Sequence, residues 1–283
     1  MRSLRAAEVR TQVLFSLFFV VLCLLFLFPV YALFLASFRP GRDLIRFGIT
    51  LKTLVPQNLV LTYLARLATT QGGVYVTWFR NSLILVVLQT SFSLLFSSMV
   101  GYGLGIYKFK GKKIVLSLVL LVIMVPLQIM ILPLYRLLIF FRSMNTFRGI
   151  ILPFIASPFA IFFFRQFVIG IPLDFVDAGR IDGLSEFGVF FRVMAPLMSP
   201  AFGAMAILGA LQSWNSFLWP LIVTRTKKMF TLPVGLAGLL TPYGTNYDLL
   251  ISGSLMATVP IIIVFFIFQR YFIAGLTAGG IKG

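Results

Sequence analysis

The polar residues that could take part in chemistry are concentrated in one short stretch. Four of the seven acidic residues lie within thirteen residues, at Asp174, Asp177, Asp182 and Glu186. The chain has no histidine and one cysteine, Cys23, which excludes histidine-based catalysis, an internal disulfide and a multi-cysteine metal site. The acidic stretch therefore points to ionic contacts, within the chain or with a partner. We predict no catalytic residue and no metal site.

The rest of the chain is too apolar for a soluble protein. Hydrophobic residues make up 60% of the sequence and charged residues 11%, against about 45–50% and about 25% in soluble domains. We therefore predict an all-α integral membrane protein that exposes apolar surface to lipid. The net charge of +17 is assigned to headgroup contacts and not to nucleic acid, because no long basic cluster has interleaved aromatics.

Apolar runs long enough to cross a bilayer, about 20 residues each, occur six times. The predicted spans are 13–38, 77–107, 114–141, 149–169, 201–223 and 251–272. They form one transmembrane domain, 13–272, between an N-terminal segment, 1–12, and a C-terminal tail, 273–283. Six spans place both termini on one side. Lysine and arginine are evenly divided between the two sides, but the short basic segments favour cytoplasmic termini of a multi-pass membrane protein.

Two prolines, Pro126 and Pro133, lie inside the predicted third span. A proline at mid-membrane frees backbone groups that neighbouring residues must satisfy. Two interpretations remain open: local kinks, or a broken helix that lines a pathway.

The polar stretch lies in a loop, 170–200, between the fourth and fifth predicted spans. We predict two short helices in this loop, joined at Gly183. Asp174 is expected to be the N-cap of the first helix, and Ser185 the N-cap of the second, over 186–194. Pro196 is expected to end the second helix.

The loop also combines charge and apolar surface. Arg180 is expected to pair with Asp177 at a spacing of i, i+3. The apolar residues of the loop are Phe175, Ile181, Leu184, Phe187, Phe190 and Phe191. They could pack on the membrane spans of the same chain or on a partner protein, and local physics leaves both interpretations open.

The loop resembles the cytoplasmic loop of permease subunits of bacterial ABC importers. That family has Glu-Ala-Ala, three residues, Gly, nine residues and then Ile-x-Leu-Pro. This chain has Asp177-Ala178-Gly179, three residues, Gly183, nine residues and then Val193-Met-Ala195-Pro196. The spacing is matched throughout, with four conservative departures. Asp177 is one methylene shorter than the glutamate of the family.

Further motifs extend the resemblance to nearly the whole chain. They are Ser37-Phe-Arg-Pro40, Arg80-Asn81-Ser82, Trp214-Asn215 with Trp219-Pro220, and Gln269-Arg-Tyr-Phe with Gly275-Leu-Thr-Ala-Gly and Lys282-Gly283. Together they are similar to the maltose-type sugar permeases, and more narrowly to the smaller, six-span partner of the two permeases. Ser216 departs from the pattern, because many relatives carry an acid there.

The resemblance implies a mechanism and its partners. Two homologous permeases would form a heterodimer in the lipid bilayer, and each loop would dock on a cytoplasmic ATPase dimer that binds ATP and Mg. An extracytoplasmic solute-binding protein would deliver the sugar to the 224–250 loop, and the tail would reach towards the ATPase. The residues assigned to the coupling loop are Asp174, Asp177, Ala178, Gly179, Arg180, Asp182, Gly183 and Pro196.

Amide and aromatic side chains in the spans are candidates for the sugar pathway, because sugars need hydrogen-bonding amides and aromatic platforms. These candidates are Asn81, Gln89, Gln128, Gln212, Trp214, Asn215 and Trp219. Hydrogen bonding between helices and, for the tryptophans, an interfacial belt are the structural alternatives.

Two other classes of function are weighed against an ABC permease. The chain has no G-x-x-x-x-G-K-[ST] motif and so no site for ATP hydrolysis of its own. A stand-alone secondary transporter or channel is the main alternative, and a membrane-embedded enzyme is the other. No acidic residue lies inside a predicted span, which argues against ion coupling and against acid–base catalysis.

Overall fold

The computed structural model describes residues 2–41, 48, 50, 61–69, 72–240 and 246–278, and in this part of the chain it is helical with no strand. The helices are α1 (Arg2–Ala36), α2 (Thr62–Thr69), α3 (Val74–Ile106), α4 (Lys112–Met124), α5 (Leu127–Phe140), α6 (Phe147–Phe154), α7 (Pro158–Ile169), α8 (Asp174–Ile181), α9 (Glu186–Leu197), α10 (Ser199–Trp214), α11 (Leu218–Val223), α12 (Leu232–Ala237) and α13 (Tyr247–Ala278). Residues 279–283 of the predicted tail and 241–245 of the predicted 224–250 loop lie outside the described residues.

Three of the described helices are long and apolar enough to cross a membrane unaided. They are α1, over Arg10–Ala36, α3, and α13, over Tyr247–Ile267. Three further candidates are bent pairs: α4 with α5 at 106°, α6 with α7 at 43°, and α9 with α10 at 79°. Counting each pair as one span gives up to six, in an all-α membrane protein.

The predicted third span is a broken helix and not a kinked one. Helix α4 ends at Met124, Val125 is extended with φ −83° and ψ 116°, and α5 begins after Pro126. The break lies there because a residue before proline is driven away from the helical conformation, and proline has no N–H to continue the ladder. Pro133 lies inside α5 and does not interrupt it.

The predicted fifth span, 201–223, is also divided. Helix α10 ends at Trp214, and α11 resumes at Leu218. The side chain of Asn215 donates to the carbonyl of Leu211 at 3.0 Å, which competes with continuation of the helix. Pro220 further favours the break, since it has no N–H for the preceding turn.

The chain forms two compact units. The first unit comprises Met1–Tyr75 and Leu236–Val259. Within it, the Tyr75 hydroxyl donates to the carbonyl of Gly253 at 2.9 Å, and the Ser252 hydroxyl donates to that of Ser37 at 3.4 Å. These bonds attach the first part of α13 to the start of α3 and to the end of α1.

The second unit comprises Val76–Gly235 and Pro260–Gly283. In it, α3 and α7 pack closely because α3 presents glycines to α7. A Cβ atom on Gly101 would lie 2.7 Å from Cβ of Phe164 and 2.8 Å from the carbonyl oxygen of Ile161. One on Gly105 would lie 2.9 Å from Cγ1 of Val168. The spacing of four residues is the small-x-x-x-small pattern of membrane helix packing.

Two apolar cores stabilise the second unit. The first joins α3, α7, α8, α9 and α10, and its fully buried members include Phe164, Val189 and Met194. The second joins α3, α5, α6 and α11 around Trp219. The first core is the one that holds the polar loop, because α8 and α9 contribute side chains directly to it.

Candidate functional site

Helix α8 begins one residue earlier than the predicted capping pattern allows. Leu173 already has helical angles, φ −65° and ψ −22°, and its carbonyl accepts from the N–H groups of Val176 and Asp177. Leu173 therefore occupies the N-cap position without a side-chain cap, and the predicted N-cap role of Asp174 is wrong. Asp174 instead lies in the first turn, where its carboxylate favours the positive end of the helix dipole.

Gly183 ends α8 as predicted. The N–H of Leu184 bonds to the carbonyl of Gly179 at 3.0 Å, and that of Gly183 bonds to the carbonyl of Arg180 at 3.0 Å. This is a Schellman motif, with Gly183 in the left-handed region at φ +79°. The predicted cap of the next helix is also confirmed, because Oγ of Ser185 accepts from the N–H of Gly188 at 3.2 Å.

We expect Gly183→Ala to destabilise the loop by about 1 kcal/mol, through backbone conformation alone. No atom lies within 4 Å of the position that its Cβ would occupy, so steric bulk is not the main cost. Gly183→Asn should cost less, because asparagine tolerates left-handed angles. Thermal unfolding of the purified complex checks this order, and equal destabilisation by alanine and asparagine would contradict it.

Helix α9 continues past the predicted stop at Pro196. It starts as an α-helix, forms a π-helical turn over Val189–Met194 and continues as α-helix over Ala195–Leu197. The wider π-helical turn precedes the proline ring, and we attribute the uninterrupted helix to it. The sharp bend follows at Met198, between α9 and α10.

Three charged residues of the loop, Asp177, Arg180 and Glu186, form an ionic cluster. The guanidinium of Arg180 contacts Asp177 at 3.2 Å, which confirms the predicted pair, and binds Glu186 through Nε at 2.9 Å. The hydroxyl of Tyr107 donates to Oε2 of Glu186 at 2.6 Å. Hydrogen bonds from Arg180 and Tyr107 hold the pKa of Glu186 below its usual value. The loop is thereby tied to the end of α3.

Tyr107 and Glu186 join this cluster through contacts that no pattern in the sequence predicts. The Arg180–Glu186 contact spans six residues, which matches no helical spacing, and it forms only because Gly183 turns the chain back. Tyr107 is 79 residues from Glu186, so no local pattern could pair them. These surface ion pairs contribute little stability, and with the Tyr107 bond they link α8, α9 and the end of α3.

The apolar residues of the loop divide between the two predicted alternatives. Phe190 is 3% exposed and Leu184 is partly buried, both in the core of the second unit. In contrast, Ile181 is 86% exposed and Phe187 is 66% exposed. The loop therefore packs one set of apolar side chains on its own chain and leaves another set uncovered. The uncovered set is Leu173, Phe175, Ile181, Phe187 and Phe191.

The motif residues have different surroundings within this arrangement. Asp177, Ala178 and Asp182 are exposed, whereas Gly179 is buried. A Cβ on Gly179 would lie 3.2 Å from Val189 and 3.3 Å from Val193, so the glycine lets α8 approach α9 closely. The exposed members could contact a partner, and the two glycines shape the helix pair.

Three of the seven pathway candidates are buried inside the second unit. The amide nitrogen of Asn81 donates to the carbonyls of Lys228 at 2.8 Å and Phe230 at 3.0 Å. Nε1 of Trp219 donates to the carbonyl of Gly149 at 3.2 Å. Trp214 is 6% exposed and packs edge-to-face on Phe79. In this structure these three side chains connect segments of the chain, Asn81 and Trp219 through hydrogen bonds and Trp214 through its ring contact.

The side chains of the four remaining candidates are more exposed. Gln128, Gln212 and Asn215 are exposed, and Gln89 is half-buried, with its carbonyl oxygen accepting from the Ser213 hydroxyl at 3.2 Å. The contacts of α3 with α10 bring Gln89 close to the end of α10. Gln128 is separate from this group, in the first turn of α5 just after the break at Pro126.

Comparison with known proteins agrees with this architecture. Residues 93–277 match the profile of a family described as "Binding-protein-dependent transport system inner membrane component". The chain is 52% identical over 276 residues to the arabinooligosaccharides transport system permease protein AraQ of Bacillus subtilis, with 96% of each chain covered. It is 35% identical to the lactose transport system permease protein LacG of Rhizobium radiobacter, with 72% of this chain and 74% of that one covered.

A solved structure shows the same fold. The crystal structure of a bacterial ABC transporter involved in the import of the acidic polysaccharide alginate contains a chain that superimposes with a TM-score of 0.80. The match covers 96% of this chain and 98% of the other, at 21% sequence identity.

Proposed function

Because the chain belongs to the family of binding-protein-dependent transport system inner membrane components, we propose that it is the permease subunit of an ATP-driven importer of oligosaccharides. The observation that carries the proposal is the 52% identity, over 96% of both chains, to a permease named for arabinooligosaccharides. The cargo would be a short, neutral, pentose-rich oligosaccharide. A second, homologous permease would supply the other half of the translocation pathway.

The loop from α8 to α9 would couple the chain to a cytoplasmic ATPase dimer, which would bind ATP and Mg. Ile181 and Phe187 support this role, because large apolar side chains exposed in a water-facing loop are typical of an interface. Asp177, Ala178 and Asp182 would contact the ATPase. The shape of the helix pair would depend on Gly179, Gly183 and Pro196. The coupling loop would also include Asp174 and Arg180.

The docked loop would move as one body with the membrane helices. Val189 and Met194 of α9 are fully buried in the core shared with α3, α7 and α10, and Tyr107 bonds to Glu186. A closely packed core deforms little, so a displacement of α8 would be transmitted to these helices. This placement would put the loop and both termini in the cytoplasm, and the start of α3 on the opposite side.

The sugar pathway would pass the broken span and the end of α10. The break between α4 and α5 frees backbone carbonyls next to the exposed Gln128, and non-helical backbone at membrane depth is tolerated where it lines a cavity or is buried in protein. Gln89, Gln212 and Asn215 would add amide groups. The remaining candidates, Asn81, Trp214 and Trp219, are buried. They would hold the helices around the pathway in place and would not line it.

Copurification tests the proposal. The tagged chain, extracted from native membranes, should bring with it an ATPase and a second permease, and a strain without the chain should lose uptake of arabinose oligomers but not of free arabinose. Recovery of the chain alone, with transport by the reconstituted single chain, would support a secondary transporter or channel instead.

A further inference from the structure

A cleft with a mostly polar lining lies in the first compact unit, between α2 and the start of α13. We call it the polar cleft, and its lining residues are Tyr63, Arg66, Thr69, Asn246, Asp248 and Leu249. Its volume of about 380 Å³ is in the range of about 300–1,000 Å³ that small-molecule sites occupy. All six residues belong to Met1–Tyr75 or to Leu236–Val259. The cleft is therefore formed within one unit, and it contains none of the coupling-loop or pathway residues.

Helix α2 supplies an aromatic ring and a cation to one side of the polar cleft. Tyr63 and Arg66 are three residues apart and are therefore neighbours on the helix surface. The guanidinium carbon of Arg66 lies 5.7 Å from the centroid of the Tyr63 ring, a cation–π contact that holds the two groups together. Leu67 is 5% exposed and anchors α2 in the unit. This side of the cleft thus combines an aromatic ring with a planar group that has five N–H donors.

The start of α13 supplies an amide and a carboxylate to the other side. Oδ1 of Asn246 accepts from the N–H of Leu249 at 3.1 Å and caps the helix. Oδ1 of Asp248 accepts from the N–H of Gly41. A Cβ on Gly41 would lie 2.5 Å from Cβ of Tyr247, so the glycine allows the chain after α1 to lie against this turn. In the part of the chain that the structure describes, Oδ2 of Asp248 and Nδ2 of Asn246 form no further hydrogen bond, and both can bind a ligand.

The two charges of the polar cleft are not paired with each other. Among the residues that the structure describes, the ion pairs are those of Arg180 with Asp177 and Glu186, and Arg66 and Asp248 form none. An anion in the cleft would meet the carboxylate and a cation would meet the guanidinium, so neither kind of ion is favoured. A hydroxyl both donates and accepts. A neutral ligand with several hydroxyls can therefore bind both charged groups at once.

We propose that the polar cleft is a carbohydrate subsite that holds part of a neutral oligosaccharide outside the membrane. The proposal rests on the proposed function, which supplies the cargo and places the N-terminus in the cytoplasm. Because α1 crosses the membrane once, the end of α1 and the cleft beside it lie on the outer side. The subsite would retain a released oligosaccharide at the permease between its delivery and its entry into the pathway.

The chemistry of the lining matches that of a sugar. Neighbouring hydroxyls would accept from Arg66 and donate to Asp248, and the C–H groups of the sugar ring would pack on Tyr63. A hydrogen bond between a hydroxyl and a charged group is stronger than one between two neutral groups. The two charged residues should therefore contribute most to the affinity.

Direct binding of arabinotriose tests the proposal. The complete importer, in nanodiscs and without the solute-binding protein, is titrated with arabinotriose, and saturation-transfer difference NMR measures the dissociation constant. Asp248→Asn removes the charge but keeps an Oδ1 atom for the bond to Gly41, and it should raise the dissociation constant about tenfold. Recovery of the variant with its ATPase, at the level of the unmodified complex, shows that it is assembled.

Arg66→Lys separates sugar recognition from a simple effect of charge. Lysine keeps the positive charge but lacks the planar group with five donors, so the dissociation constant should rise about fivefold. The matched control is Arg80→Lys, the same substitution at an exposed residue of α3 that does not line the cleft. This control should bind arabinotriose as the unmodified importer does.

Two results would overturn the proposal. The first is that the unmodified importer does not bind arabinotriose in the absence of the solute-binding protein. The second is an unchanged dissociation constant in both Asp248→Asn and Arg66→Lys, which would place the bound sugar elsewhere. In that case, a loss of stimulation of ATP hydrolysis by the solute-binding protein would assign the cleft to a protein contact. The proposed function fails separately, if a strain without the chain still takes up arabinose oligomers.

Discussion

Gly101→Leu is expected to prevent assembly of the membrane domain. Even the first added atom would lie 2.7 Å from Cβ of Phe164, 2.8 Å from the Ile161 oxygen and 3.0 Å from the Arg165 nitrogen. Two of these neighbours are backbone atoms, so side-chain rotation cannot relieve the clash, and α3 would have to separate from α7. Overpacking of this kind costs about 3 kcal/mol. The level of the protein in membranes and its thermal unfolding in detergent measure the effect.

An alanine pair provides the control for this prediction. Gly101→Ala should lower the unfolding temperature, whereas Gly103→Ala should not lower it. Gly103 is two residues away on the same helix, and the nearest atom to its added Cβ would be Cδ2 of Tyr107 at 3.7 Å, an ordinary contact. Both variants add the same methyl group, so helix propensity is matched. Equal unfolding temperatures would show that α3 and α7 do not meet at Gly101.

Local features of the loop were predictable because they depend on neighbouring residues. The break at Gly183, the cap at Ser185 and the Arg180–Asp177 pair each lie within one turn or one cap, and all three are confirmed. The Asn145 bonds to 225–226 join residues about eighty positions apart. Such contacts depend on how the helices pack, which local periodicity does not encode.

The prolines of this chain have different effects on its helices. Pro126 separates two helices, whereas Pro133, Pro196 and Pro260 lie inside helical runs. Each proline removes one N–H, but the outcome depends on whether neighbouring groups satisfy the freed carbonyl and give room to the ring. This information lies in the surrounding helices. The break at 125–126 and the continuation of α9 through Pro196 were therefore visible only in the structure.

The division of apolar residues in the loop has the same origin. Ile181 and Phe190 are both large apolar residues of the predicted loop, and hydrophobicity alone does not separate them. The structure buries Phe190 beside Tyr102 and leaves Ile181 almost fully exposed. Hydrophobicity predicted that these residues need a partner surface, but only the packing of α9 on α3 and α7 shows which of them the chain itself covers.

Ile181→Asp/Phe187→Asp is expected to abolish uptake while the permease remains folded. Both side chains are exposed, at 86% and 66%, and neither belongs to the apolar core of the loop. If they dock on the ATPase, each is a buried anchor in the complex, and the loss of an interface anchor costs about 2 kcal/mol or more. The double variant should therefore weaken ATPase binding about 100-fold or more, given that 1.4 kcal/mol is a factor of ten.

Phe109→Asp separates the loss of a docking contact from a general effect of new negative charge. Phe109 is 47% exposed and lies two residues after Tyr107, near the same end of α3 but outside the loop. It should retain the ATPase and transport normally. Recovery of each permease variant with its ATPase by affinity chromatography, at equal expression, measures the difference. If the double variant retains the ATPase as fully as Phe109→Asp does, the uncovered side chains of α8 and α9 are not the docking contact, and the apolar exposure of the loop must have another partner.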